Sequence, residues 1–555
     1  MSNPVRTMIF RVSGMALILA ASALAQVSSF PKPSYFRETF SKPVSKVELQ
    51  PPVRLSDFVA GDKLELSLRS YLELVMANNT DIQIQRLTVE TPKNQILRSF
   101  GIFDPVFTGS FNNQRQKTPS NDVLAGASTL VQLSQPARFG FSQMLPNGTQ
   151  YNATFNASKT STNSGFQNFN PALTSNLGIS FSQPLIKNRG TYVNRLGIMV
   201  AKSRFRKAEY DMRTQLLQLV NDAELAYWNV VNSRENLRVR ENALKLAEAS
   251  LERSQKELKL GAISPLDIFD PEQRKASAEI DVSQAQFTLR QAEDALRKQI
   301  AADLDPNIRK LPIVLTETVM PEAAVAIDPE AEVEKALAGR PELKSALQSL
   351  DVDDLAIRTA KNGLLPDLSL TGAYTAQGRG GMFYQRANVF SSSGTASTIL
   401  KVLPGGFGDA IDQMFGFGYP VYSFGLTLRL PIRNRAAAAD MADALLAKRR
   451  DALQVRTTEQ QVRLDVLNAV NQVESSKEAV RLAIIARDYA QKYLDAEQKK
   501  YDLGTSQMFF VLQAQGALVT ADATVVQNAV NYRRNLLNLL RRTGQLLDER
   551  GIAVQ

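Results

Sequence analysis

Asp267 and Asp270 stand three residues apart in "GAISPLDIFDPEQ", just after Pro265, and their placement invites a chemical role. Carboxylates held close together bind cations or push one another's pKa upward. A carboxylate at a helix N-terminus also has a purely local use, since the macrodipole stabilises it there. The rest of the chemical inventory is narrow. The chain has no histidine and no cysteine, which removes Ser-His hydrolases, histidine and thiolate metal sites, disulfides and a cysteine lipid anchor. A catalyst would need carboxylates, lysine or serine alone, and no spacing suggests one. The chain reads as a non-enzyme with no cofactor and no metal.

The stretch carrying these carboxylates has a second copy. "KLGAISPLDIF" starts at Lys259 and "DLGTSQMFFVL" at Asp502, so Gly261 and Gly504 are 243 residues apart (504 − 261). At that offset Asp222 falls on Asp465, Leu251 on Leu494, Ala278 on Ala521 and Leu296 on Leu539. "SFSQPLIKNRG" answers to "LTLRLPIRNRA" at a slightly larger offset. The chain is two tandem copies of one unit. The carboxylates are not repeated: Asp267 falls on Phe510 and Asp270 on Gln513.

The elements that position these tips are long. Residues 198–260 and 433–503 contain neither proline nor glycine, enough for helices of roughly 95 and 105 Å at 1.5 Å per residue. Leu237, Leu244, Leu251 and Leu258 recur every seven residues, and Ala278, Val282, Ala285, Leu289, Ala292 and Leu296 alternate steps of four and three. These are coiled-coil seams, folded back at Gly261. The formal charge is +10, falling to about +8 without Arg6 and Arg11. Basic and acidic residues interleave as on solvated helix faces, and no basic stripe with aromatic platforms points to nucleic acid.

Each copy also has two alternating segments. Leu177, Ile179 and Phe181 oppose Gly178, Ser180 and Ser182, while Phe424, Leu426, Leu428 and Leu430 oppose Gly425, Thr427 and Arg429. Phe107 and Phe111, and Leu368, Leu370 and Tyr374, head the partner strands. One apolar and one polar face fits a barrel wall with lipid outside and water inside. Four strands are too few to close a membrane barrel, so strands from several subunits must be pooled. Pro184 and Pro431 mark the strand-to-helix junctions, where a missing N–H ends the ladder. The hairpin at Asn147-Gly148 reads either as an extension of the wall or as an external loop. The glycine-rich "QGRGGMFYQRANVFSSSGTAS" reads as a surface loop, since it lacks a phosphate-loop ending.

Arg6 and Arg11 precede the apolar run from Val12 to Ala25, the layout of a secretory leader. No other stretch reads as apolar enough to cross a bilayer as a helix. The organisation expected is a leader over 1–25, an extended segment over 26–65, a first copy over 66–300, a linker over 301–335, a second copy over 336–547 and a tail over 548–555. The first copy has strands near 105–112 and 174–184 and a tip near 259–270. The second has strands near 366–375 and 422–431 and a tip near 502–513.

In this order, leader, duplicated strand pair, "QPLIKNRG" and "LPIRNRA" junctions, very long helices and paired "LG" tips, the chain resembles the TolC family of outer-membrane efflux proteins. The resemblance covers about Leu66 to Leu547. It implies a mainly α fold with a β-barrel part, pooled as a homotrimer into a twelve-stranded outer-membrane barrel of a Gram-negative-type bacterium, above a periplasmic tunnel of antiparallel coiled-coil helices. Each long helix would run from barrel to tip, with shorter helices, about Leu66 to Phe100 and Leu266 to Ile300, stacked end to end beside it. It further implies a passive exit duct for an inner-membrane transporter and a periplasmic adaptor, with outer-membrane lipid as its surroundings. The adaptor would grip Leu260, Gly261, Ala262 and Ile263 with Leu503, Gly504, Thr505 and Ser506. The family's second tip often presents acidic residues to the lumen; here Phe510 and Gln513 occupy those positions. The candidate periplasmic gate is therefore Asp267, Asp270, Phe509, Phe510 and Gln513. The competing reading is a structural or adhesive coiled-coil protein of the envelope, which explains the seams but not the duplicated strands.

Overall fold

A computed structural model describes Val53, residues 55–60, 63–119, 127–261, 263–304, Pro306, 308–320, 327–387 and 398–552. The leader at 1–25, most of the extended segment at 26–65 and Ala262 lie outside the described residues.

From the N-terminal side, strands β1 (Val59–Ala60) and β2 (Lys63–Leu66) lead into helices α1 (Leu68–Asn78), α2 (Thr80–Thr88) and α3 (Glu90–Phe100). One helix was expected over this stretch. Asn79 breaks it by adopting an extended conformation and capping α2, its side-chain oxygen accepting from the N–H groups of Asp81 (2.9 Å) and Ile82 (3.2 Å). Strands β3 (Val106–Phe111), β4 (Gln114–Pro119), β5 (Thr129–Met144), β6 (Gln150–Thr162) and β7 (Phe169–Pro184) follow. The chain then descends along α4 (Leu196–Lys259) and returns along α5 (Phe269–Gln299).

Next come β8 (Ile313–Leu315), α6 (Pro329–Gly339) and α7 (Pro341–Gly363). The chain continues through β9 (Asp367–Arg386), β10 (Ile399–Leu403), α8 (Phe407–Phe415) and β11 (Tyr419–Arg429), then α9 (Arg435–Asp502), α10 (Met508–Thr543) and α11 (Leu546–Glu549). The 64-residue α4 and 68-residue α9 are unbroken, as the lack of proline and glycine across their interiors requires.

End-to-end stacking occurs in both copies. The Asn79 amide donates to the backbone and side-chain oxygens of Gln299, where α5 meets α2. In copy two α10 ends at Gly544, left-handed at φ 77°, where a Cβ would stand 3.3 Å from Arg340 Cα at the start of α7. Arg340 ties this joint to α9 through Asp465, which Arg542 also pairs at 2.6 Å.

Beside these joints sits the main core. β1, β2 and β8 form a small sheet in which β2 and β8 run parallel, under fully buried Leu66, Tyr71, Leu74 and Tyr227. The Tyr71 hydroxyl donates to the Ala223 carbonyl (3.1 Å) and that of Tyr227 to the Leu66 carbonyl (3.3 Å), so neither phenol is buried unpaired. Burial is the larger cause raising both phenols' pKa values, that of Tyr227 to about 12. Two expected boundaries change here. The linker at 301–335 contributes β8 and opens α6, whose Pro329 occupies a first-turn position that needs no N–H. The tail at 548–555 begins inside α11, and Arg550 pairs buried Glu224 at 2.6 Å.

Helix α10 is long and apolar enough to cross a membrane by length and composition, contrary to the expectation that only the leader approaches that standard. Its Val511, Leu512, Ala514, Val525, Ala529, Val530, Leu537 and Leu539 are buried in this chain, but only 28 % of its most apolar window is.

The large sheet runs β3/β4, β5, β6, β7, β9, β10/β11. It is six strands wide, because β3 and β4 share one edge of β5 while β10 and β11 share one edge of β9. The four expected strands are present as β3, β7, β9 and β11, but they do not make the whole sheet: β5 and β6 separate β3 from β7. The Asn147-Gly148 hairpin is thus part of the sheet. The segment expected as a glycine-rich loop is strand as far as Arg386, and residues 388–397 lie outside the described residues.

Candidate functional site

Register turns the alternation of single strands into two continuous faces. Phe107, Phe141, Ala153, Ile179, Tyr374 and Tyr422 form one row across all six strands. The opposite face has the row Ser110, Arg138, Asn156, Asn176 and Gln377, ending at Tyr419. Much of the apolar face is uncovered, with Phe424 80 % and Phe107 70 % exposed. An apolar face open to its surroundings opposite a polar one matches a bilayer on one side and water on the other.

At the far end of the strands α8 lies on the apolar face. The Ser175 hydroxyl donates 2.6 Å to the Ala410 carbonyl, and Ala410 and Met414 are buried beneath it. A Cβ on Gly378 would come 1.8 Å from the Ala410 oxygen, and one on Gly380 2.1 Å from the Gly406 oxygen. Glycine is therefore required in β9 by the close approach of α8.

Where strand passes to helix, Pro184 closes β7 and Pro431 follows β11 by two residues. The ladder persists past Pro184 through Leu185 N–H to the Leu368 carbonyl (2.8 Å). Asn188, left-handed at φ 60°, then accepts a 2.6 Å hydrogen bond from the Asn362 amide, while its own N–H donates to Asn362 Oδ1. Its counterpart Asn434 caps α9 and reaches the Gly363 carbonyl. Both junctions thus hold the end of α7.

At the other end of the helices the two tips share one geometry. Gly261 and Gly504 both have φ 73°, with N–H groups donating to Leu258 (3.0 Å) and Tyr501 (2.9 Å) carbonyls. Leu260 and Leu503 project at 83 % and 79 % exposure. The Thr505 N–H and hydroxyl both donate to the Lys500 carbonyl, and the Ser506 hydroxyl donates to Glu497. Ile263 follows the first turn half-buried.

The candidate gate residues separate into two groups. Asp267, Asp270 and Phe509 line one cleft of about 530 Å³ between the tips of the same chain, with Ile263, Tyr501 and Met508. Phe510 and Gln513 are outside its lining; Phe510 packs edge-to-face on Phe509 at 5.5 Å. Asp267 accepts the Ser264 N–H at 3.1 Å, ordering the turn before α5, and Asp270 lies in the first turn of that helix. Both carboxylates therefore serve the helix start as well as the cleft.

Four further residues join the tips. Tyr501 donates 2.5 Å to Glu257, Arg253 pairs both Glu257 (3.0 Å) and Asp502 (2.7 Å), and the Arg253 guanidinium lies 4.7 Å from the Tyr501 ring centre. Burial, then the hydrogen bond to Glu257, pushes the Tyr501 phenol up to about 12. Hydrogen bonds from Arg253 and Gln498 hold the Asp502 carboxyl below its ordinary range. The only local signal in the sequence was the Arg253/Glu257 spacing of four, which reads as ordinary helix surface.

Residues 148–302 and 333–545 match the family described as outer membrane efflux protein. The chain is 24 % identical over 341 residues to outer membrane protein TolC of Escherichia coli K12, covering 61 % of this chain and 63 % of that one, less than two thirds of its length. Against TolC of Vibrio cholerae serotype O1 it is 23 % identical over 372 residues, covering 67 % and 77 %. Its fold is similar to the open-state MtrE outer membrane channel of Neisseria gonorrhoeae, with a TM-score of 0.58, 16 % identity and coverage of 94 % and 98 %. The chain belongs to the outer membrane efflux protein family, placed in the outer membrane with its helical part in the periplasm.

Proposed function

We propose that this protein is the outer-membrane exit duct of a tripartite efflux or type I secretion system. As a homotrimer it passively conducts substrate received from a periplasmic adaptor and an inner-membrane pump. The observation that carries this reading is the union of one sheet with a continuous apolar face and helices of roughly 100 Å that end in paired tips. A surface-adhesive coiled coil has no use for such a sheet. Exposed Leu260 and Leu503, with Gly261, Ile263, Gly504, Thr505 and Ser506 shaping the turns, offer the adaptor an apolar end to grip. Asp267, Asp270 and Phe509 stand at the throat, and the Tyr501–Glu257 and Arg253–Asp502 links hold adjacent tips together.

Deleting the gene should sensitise cells to exported toxic compounds or abolish secretion of a cargo, with restoration by the intact gene. The protein should fractionate with outer membranes as a detergent-resistant trimer. Recovery as a soluble monomer, or a phenotype confined to attachment, would sink the proposal.

A further inference from the structure

The sheet is too wide for the four-strand share implied by the family resemblance. We infer that each chain supplies six wall strands, so that three copies close an eighteen-stranded barrel (three times six); this rests on the trimeric reading above.

The β5–β6 hairpin is laddered on both sides, to β3 through Ser110↔Arg138 and to β7 through Asn156↔Asn176. The alternation continues through it in register, with Phe139 and Phe155 on the apolar face and Arg138 and Asn156 on the polar one. A loop folded away from the wall would have no reason to keep lipid-facing and water-facing rows aligned with its neighbours. Its turn is also anchored. The Gly190 N–H donates to the Asn147 carbonyl, and a Cβ on Gly148 would meet Asn188, Asn194 and Pro184 within 3 Å. The hairpin is thus seated on the corner where β7 leaves the sheet.

Within the described residues the outer edges of β3/β4 and β11 have no strand partner. An open edge does not occur in the hydrocarbon layer, where unpaired N–H and C=O groups are too costly. The complementary edge available is that of a second copy of this chain, in a head-to-tail ring that closes by rotation. An added up-and-down pair preserves both strand direction and facing, so the ring closes as readily with six strands per copy as with four. Barrel diameter grows roughly linearly with strand number. The exit would be about one and a half times as wide as a twelve-stranded one.

The chain has no native cysteine, so paired cysteines can read the wall directly. S110C/R138C and N156C/N176C should oxidise in outer membranes, because paired residues lie within disulfide reach. S110C/N176C should not, since three strand spacings put them about 14 Å apart. Oxidation of that pair would show β3 beside β7 with the hairpin outside the wall, overturning the six-strand share. Native mass spectrometry separately reads the copy number; any value but three overturns the trimeric reading and with it the count of eighteen. Electron cryo-microscopy of the wild-type protein in nanodiscs gives the count without substitutions: eighteen strands support the inference and twelve overturn it.

Discussion

The Tyr501 hydroxyl donates a 2.5 Å hydrogen bond to Glu257 and so closes the end of copy two onto the end of copy one. Beside it Arg253 bridges Glu257 and Asp502 while lying over the Tyr501 ring. Hydrogen bonds to charged groups contribute about 1.5–3 kcal/mol, and partial exposure here favours the lower end. If opening separates these helices, Tyr501→Phe should shift the closed-to-open ratio roughly tenfold towards open. Single-channel recording in planar bilayers reads the open fraction, and unchanged gating would show that the link is only structural.

The same link has a pH signature. The Tyr501 pKa is raised from 10.0 to about 12, so its contribution is complete below pH 10 and is lost as pH rises through about 12. Subtracting the phenolate absorbance titration of Tyr501→Phe from that of the wild type should leave one phenol titrating near 12. A difference curve centred near 10 would contradict the buried, hydrogen-bonded placement.

Asp502 works in the opposite direction. Its carboxyl is held below the ordinary value of 3.8 by Arg253 and Gln498, so its contribution is present above that value and disappears as pH falls through the lowered folded pKa. Acid should therefore raise the open fraction in the wild type, and Asp502→Asn should be open more often at neutral pH with a flatter acid response.

Long helices, tips and four of the sheet strands were legible because each follows a local rule: missing breakers, a Leu-Gly turn, alternation. What escaped the sequence reading depended on neighbours distant in the chain. The alternation around Asn147-Gly148 states that a hairpin forms but not what lies beside it. Gly378 and Gly380 look like loop residues until α8 is seen against them. Tyr501 and Glu257 lie on different helices, and no periodicity relates them. The break at Asn79 was equally hidden, since its cap serves a joint with Gln299.

Gly261→Ala and Gly504→Ala should each destabilise the protein by about 1–2 kcal/mol, the cost of left-handed backbone for a residue with a Cβ. At neither position would the new methyl meet another atom within 4 Å, so the whole effect is conformational. Thermal unfolding of the two variants should show similar losses. A much larger loss at one tip would mean that its glycine also lies against a neighbouring chain.

Gly378→Ala tests the docking of α8. The added methyl would stand 1.8 Å from the Ala410 oxygen, a backbone atom that cannot rotate aside, so α8 must lift from β9 or the strand must bend. Overpacking of this kind costs about 1–3 kcal/mol and sometimes more. Met414, fully buried in the wild type, then becomes accessible. Protease added to intact cells should cleave between Leu403 and Tyr419 faster in the variant, while the β6–β7 pairing, reported by an N156C/N176C disulfide, persists. Equal cleavage rates would show that α8 is not held by this contact, leaving the glycines of β9 without the reason that the close approach supplies.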